Sequence, residues 1–107
     1  MSDVKLTLIE ARQKITEGWT QGAYARMSSE VSEGGVVPID SPLATCWCSV
    51  GAVSVVTPSG VYSTPYLAKL REILDVPTIA DIIQWNDDSF RTKEEVLDLF
   101  DRAIAAC

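Results

Sequence analysis

Ser41-Pro42-Leu43-Ala44-Thr45-Cys46-Trp47-Cys48-Ser49-Val50-Gly51-Ala52-Val53-Ser54-Val55-Val56 is the stretch on which the fold class turns. Serine followed by proline is a helix start. The hydroxyl caps a free backbone N–H, and proline at the first helical position lacks a donor that would go unpaired anyway. The spacing predicts a helix from Pro42 to about Val56. It is rich in small residues, and Ala44, Cys48, Gly51, Ala52 and Val55 form a face that neighbours can approach closely, as in a central buried helix. The competing reading is a strand, because Val50, Val53, Val55 and Val56 are β-branched. Thr57-Pro58-Ser59-Gly60 suits a type I turn, so a hairpin at about 50–63 is the alternative. The first reading gives a mostly all-α fold and the second an α+β fold. The helix is preferred because its start signal is strong and local.

Outward from that stretch the helical signals continue on both sides. Leu8, Ala11, Ile15 and Trp19 recur at close to a helical period, with Thr7 and Glu10 as a capping pair and Gly18 at the end. A short second element spans about Gln21 to Met27, with Tyr24 and Met27 available for burial. Ser28 to Asp40, with Gly34-Gly35 and Pro38, reads as a long loop and the best place for mobility. Thr64-Pro65 opens a helix striped by Tyr66, Leu67, Leu70, Ile73 and Leu74. Thr78 caps a short helix from Ile79 to about Trp85, closed by an Asn86-Asp87-Asp88 turn. Thr92-Lys93-Glu94-Glu95 is a capping box, and Val96, Leu97, Phe100, Ala103 and Ile104 make the buried stripe of the helix it opens. The expectation is one domain over residues 1–107, a bundle of four to five short helices with a long loop at 28–40.

Composition narrows the function. Apolar residues are 47% and charged residues 22% of the chain, which is ordinary for a globular domain. Nine Lys and Arg against 15 Asp and Glu leave a net charge of −6 with no basic run, which disfavours direct nucleic-acid binding. It suits solubility, or docking on a basic protein surface. Met1-Ser2-Asp3-Val4-Lys5 lacks the basic start and apolar run of an export signal, and the apolar stretch from Cys46 to Val56 is too short to span a bilayer. A cytoplasmic setting without membrane contact is expected.

The chain has no histidine, which removes Ser-His and Cys-His nucleophile pairs and the commonest zinc ligand sets. Cys46 and Cys48 would need further ligands to hold a metal, and Cys107 is the sole other cysteine. They are read as core residues. Gly34-Gly35 lacks the context of a phosphate cradle. The remaining constellation is Trp85-Asn86-Asp87-Asp88 with Arg91. Adjacent carboxylates can bind a cation or act as acid and base. Asn and Asp also cluster in turns for purely local hydrogen bonds, and negative charge is favoured where a helix begins. These five residues are the candidate binding residues; no catalytic residue, metal or cofactor is assigned.

Trp47-Cys48-Ser49-Val50-Gly51-Ala52-Val53, then Trp85-Asn86-Asp87 and Arg91-Thr92-Lys93-Glu94-Glu95-Val96, resembles a family of small uncharacterised proteins of bacteria and their phages. Its pattern is aromatic–Cys–x–x–Gly–Ala, then Trp-Asn-Asp, then Arg-Thr-x-x-x-Val, and Trp19-x-Gln21-Gly22 is similar to the segment before it. The resemblance implies a helical fold and a prokaryotic or phage setting, and no catalytic residues. Two functions remain. One is a non-enzymatic protein-binding or regulatory module, a phage or mobile-element accessory acting on a host or cellular protein. The other is a small enzyme or a ligand- or metal-binding domain using the Trp85–Arg91 cluster.

Overall fold

The computed structural model describes residues 3–28, 35–57 and 64–107. Among them are five helices and one pair of short antiparallel strands. The order is α1 (Asp3–Glu17), β1 (Ala25–Arg26), β2 (Cys46–Trp47), α2 (Ser49–Val56), α3 (Thr64–Leu74), α4 (Ile79–Asp87) and α5 (Lys93–Ala105). The fold is therefore mostly helical, as the capping and periodicity signals imply.

Helix α1 buries Leu8, Ala11 and Ile15 completely, three of the four residues that its period marks out; the fourth, Trp19, lies beyond the helix end and bridges to Trp47. It begins upstream of Thr7, so Thr7 is a buried interior residue and not a cap. Gly18 ends the helix and serves a second purpose. A Cβ there would overlap the Thr45 carbonyl oxygen, so only glycine lets β2 come this close. The Trp47 N–H donates to the Gly18 carbonyl at 3.1 Å, and the Thr20 N–H to the Trp47 carbonyl at 3.1 Å.

The expected second element is extended, not helical. In β1, Ala25 faces Trp47 and Arg26 faces Cys46 across the pair. Single bridges, Trp19 with Trp47 and Arg26 with Val36, widen it on both sides. Burial falls on Ala25 and Arg26, while Tyr24 and Met27 are exposed, against the expectation for those two. The returning side of the 28–40 loop lies along β1, with the Met27 N–H donating to the Gly35 carbonyl at 2.8 Å. Ser29 to Gly34, the rest of the expected mobile loop, lie outside the described residues.

The deciding stretch is a helix, but a shorter one. Ser41-Pro42 forms a turn in which the Leu43 N–H donates to Ser41 Oγ at 3.1 Å, and the chain then enters β2. The helix starts at Ser49, with Cys48 as its N-cap. Residues 50–56 are helical despite four valines, and residues 58–63 of the alternative hairpin lie outside the described residues. Helix α2 is buried at Ser49, Val50, Gly51, Ala52, Val53 and Ser54, which makes it the central helix. Gly51 sits against the Tyr24 carbonyl, where any Cβ would collide. Around α2 are α1, α3 and α4, and α5 closes over α1 and α3. The capping boxes at Thr78–Asp81 and Thr92–Glu95 are both formed. Helix α5 buries Val96, Leu99, Phe100 and Ala103, while Leu97 and Ile104 lie at the edge of the core.

Candidate functional site

Four of the five candidate residues, Trp85, Asn86, Asp87 and Asp88, end α4 or cap it; Arg91 lies in the turn that follows. The expected Asn86-Asp87-Asp88 turn is thus one residue of turn. Asn86 and Asp87 are the last helical residues, and Asp88 is the C-cap.

Asn86 is fully buried and saturated with hydrogen bonds. Its carboxamide oxygen accepts from the Trp19 indole N–H at 2.9 Å, from the Ser49 N–H at 3.0 Å and from the Ser49 hydroxyl at 2.7 Å. Its amide donates to the Thr20 carbonyl at 3.2 Å and to Asp87 Oδ1 at 3.0 Å. One side chain therefore joins the end of α4, the first N–H of α2 and the segment after α1. Buried amides persist only when so paired, because each orphaned group costs about 1–3 kcal/mol. Gln21 repeats the tie from the other side, donating to the carbonyls of Asn86 at 2.9 Å and Asp88 at 2.7 Å. Those carbonyls belong to a helix end that would otherwise need water.

Asp87 Oδ1 also accepts from the Gly22 N–H at 3.0 Å. Asp88 Oδ1 accepts from the Phe90 N–H at 2.9 Å, folding the turn over itself. Arg91 does not reach the Asp87 or Asp88 carboxylate. Its Nε donates to the Trp85 carbonyl at 2.8 Å, and its Nη1 meets Glu95 Oε2 at 3.1 Å. Its guanidinium lies 4.0 Å from the centre of the Trp85 ring, a cation–π contact. The five residues are close together, but their polar atoms face mostly one another and the backbone.

Residues that sequence reasoning left aside complete the cluster: Trp19, Thr20, Gln21, Gly22 and Ser49. The likeness of Trp19-x-Gln21-Gly22 to the family pattern was the available signal. Cys48 belongs here too. Its sulfur accepts from the Gly51 N–H at 3.3 Å, capping α2. Burial pushes its thiol up to about 11, with the nearby negative charge of Asp87 adding to the effect, so it is a neutral thiol at pH 7. Cys46 is buried as well, while Cys107 is exposed. Glu95 is held below the ordinary glutamate range, chiefly by the Thr92 N–H that it accepts.

Two concavities flank the cluster. A recess of about 150 Å³ is lined by Gly22, Ala23, Tyr24, Cys48, Ile83 and Asp87. A shallow groove of about 400 Å³ opens between α3, α4 and α5, with Leu74, Trp85 and Leu99 among its lining. Among the described residues, no group of three or more carboxylates and cysteines could hold a metal ion, and no helix is long and apolar enough to cross a membrane.

Fold and cluster together define a small, mostly helical protein whose central helix is pinned at its start by a buried asparagine. The chain belongs to a family of unknown function (DUF6197), whose model matches residues 1–106. No curated protein and no solved structure matches it.

Proposed function

We propose that the chain is a small acidic protein-binding module that regulates a cellular protein, an accessory of the bacterial or phage setting that its motifs resemble. The observation that carries this reading is the fate of the Trp85–Arg91 cluster. Asn86 uses its oxygen and its nitrogen within the fold, Asp87 holds the Gly22 N–H, and Arg91 holds the Trp85 carbonyl and Glu95. An acid, base or nucleophile needs an atom free to meet a substrate. Large apolar side chains meanwhile stand in water, with Phe90 89% exposed, Val36 61% and Leu43 57%. Exposed aromatics are frequent anchors of protein interfaces. The net charge of −6 favours a basic protein surface over nucleic acid as partner. The cytoplasm suits a chain whose Cys46, Cys48 and Cys107 are all unpaired.

The second reading, a ligand-binding domain or small enzyme, draws on the recess where Asp87 and Cys48 share a wall. Affinity capture from a lysate of the organism that encodes the chain separates the two. The binding-module reading expects one stoichiometric partner that survives moderate salt. No partner, together with a small molecule or metal copurifying with the chain, would transfer the function to the recess.

A further inference from the structure

We infer that the groove between α3, the end of α4 and the first turns of α5 docks a basic, apolar-faced segment of a partner protein. The inference rests on the binding-module reading and assigns that module its contact site.

The floor of the groove is apolar: Leu74 from α3, Trp85 from α4 and Leu99 from α5. The indole N–H of Trp85 meets no acceptor among the described residues, whereas those of Trp19 and Trp47 donate to Asn86 and to the Ile39 carbonyl. The turn that delivers Arg91 to the wall also carries Phe90, the most exposed large apolar side chain among the described residues.

The rim selects charge. Of its carboxylates, Glu95 is engaged by Thr92 and Arg91. Glu94 forms no ion pair among the described residues, and Asp98 lies 3.9 Å from Arg102, with both side chains more than half exposed. An exposed pair at that distance contributes little, so Asp98 is available to another cation. Glu94 and Asp98 are four residues apart on α5 and share a face. Arg91 is stacked on Trp85 and bonded to Glu95, so its charge is largely compensated. The rim therefore offers two available carboxylates, Glu94 and Asp98, one helical turn apart above an apolar floor, with the exposed Arg102 one turn further along, which fits a helix or strand presenting Lys or Arg beside a large aliphatic residue and an acidic residue one turn on. A second copy of the chain, also at −6, is electrostatically disfavoured, as is an anionic membrane.

The test uses the full chain labelled with ¹⁵N and a short synthetic amphipathic helix of leucine and lysine, with a lysine-only peptide of equal charge as control. The expected result is a shift of the Trp85 indole signal and of the Phe90, Glu94 and Asp98 amides, with the Trp19 and Trp47 indoles unmoved. Glu94→Lys with Asp98→Lys, and separately Phe90→Ser, should each weaken binding about tenfold, roughly 1.4 kcal/mol, while thermal melts show all variants folded. Shifts confined to another face, no binding, or equal binding of the lysine-only peptide would overturn the site. Lysate capture with the same variants separates the two levels. A partner held equally by wild type and the charge-reversed variant overturns the groove but not the module. No partner on wild type overturns both.

Discussion

The indole N–H of Trp19 donates to the carboxamide oxygen of Asn86 at 2.9 Å, joining residues 67 positions apart in the chain. The same oxygen holds the first N–H of α2. Replacing Asn86 with Ala removes the described acceptor of three donors, the Trp19 indole N–H and the Ser49 N–H and hydroxyl, and opens a void at the core edge. The expected loss is about 3 kcal/mol or more of unfolding free energy, from several unsatisfied groups at about 1–3 kcal/mol each. Urea unfolding followed by tryptophan fluorescence measures it, and a variant as stable as wild type would refute the role given to Asn86.

Asp87 has a smaller share in the same tie, through the Gly22 N–H. Asp87→Ala should cost about 0.5–2 kcal/mol, in the range of a lost cap. A stability-neutral Asp87→Ala that abolishes a ligand-dependent property would instead favour the recess as the functional site.

Gly51 lies where the Tyr24 carbonyl leaves no room for a Cβ. Gly51→Ala should lower stability by about 1–3 kcal/mol, the usual cost of overpacking, even though alanine is the better helix former. Thermal unfolding decides it: a raised melting temperature would mean that β1 and α2 are not in contact here.

Cys48 gives a pH signature. Its folded value of about 11 lies above the ordinary 9.0, so the fold favours the protonated thiol. That contribution is complete below pH 9 and is lost as pH rises from about 9 toward about 11. Cys48→Ser should flatten this part of the stability–pH curve relative to wild type. At neutral pH, iodoacetamide should modify Cys107 rapidly, and Cys46 and Cys48 only after unfolding. Rapid alkylation of Cys48 in the native state would contradict its burial.

Glu95 runs the opposite way. Its value is lowered in the fold, so its contribution is present above the ordinary glutamate range and is lost as pH falls through the folded value. Thr92→Ala should raise the Glu95 titration midpoint toward the ordinary one and cost about 0.5–2 kcal/mol. NMR titration of the Glu95 side chain reads the first effect directly.

Helices α3, α4 and α5 were legible because their signals are local: Thr78 with Asp81, Thr92 with Glu95, and apolar stripes at helical spacing. The start of α2 was not. Ser41-Pro42 is an equally local signal that ends in a turn, because Cys46 and Trp47 are claimed by Arg26 and Ala25, about twenty residues earlier. No propensity marks a cysteine as the cap that follows. The candidate cluster was found from its composition, but its geometry was not, since the partners of Asn86 lie up to 67 residues away. The motif residues Trp47, Cys48, Gly51, Asn86 and Thr92 each have a role in building the fold. The exposed Phe90 lies outside that pattern, whereas Trp85 and Arg91 of the groove belong to it.

Arg12 and Asp101 form a two-pronged ion pair between α1 and α5, with the shorter contact at 2.6 Å, across 89 residues of chain. Lys93 adds a bond from the start of α5 to the Thr16 carbonyl. A bundle of short helices usually assembles rapidly from neighbours, yet here the helix that comes first is sheathed by the helix that comes last. Helix α1 also meets α2 and α5 also meets α3, but the face that α1 and α5 share is covered only when almost the whole polypeptide has been brought back on itself, a closure of high sequence separation that slows folding.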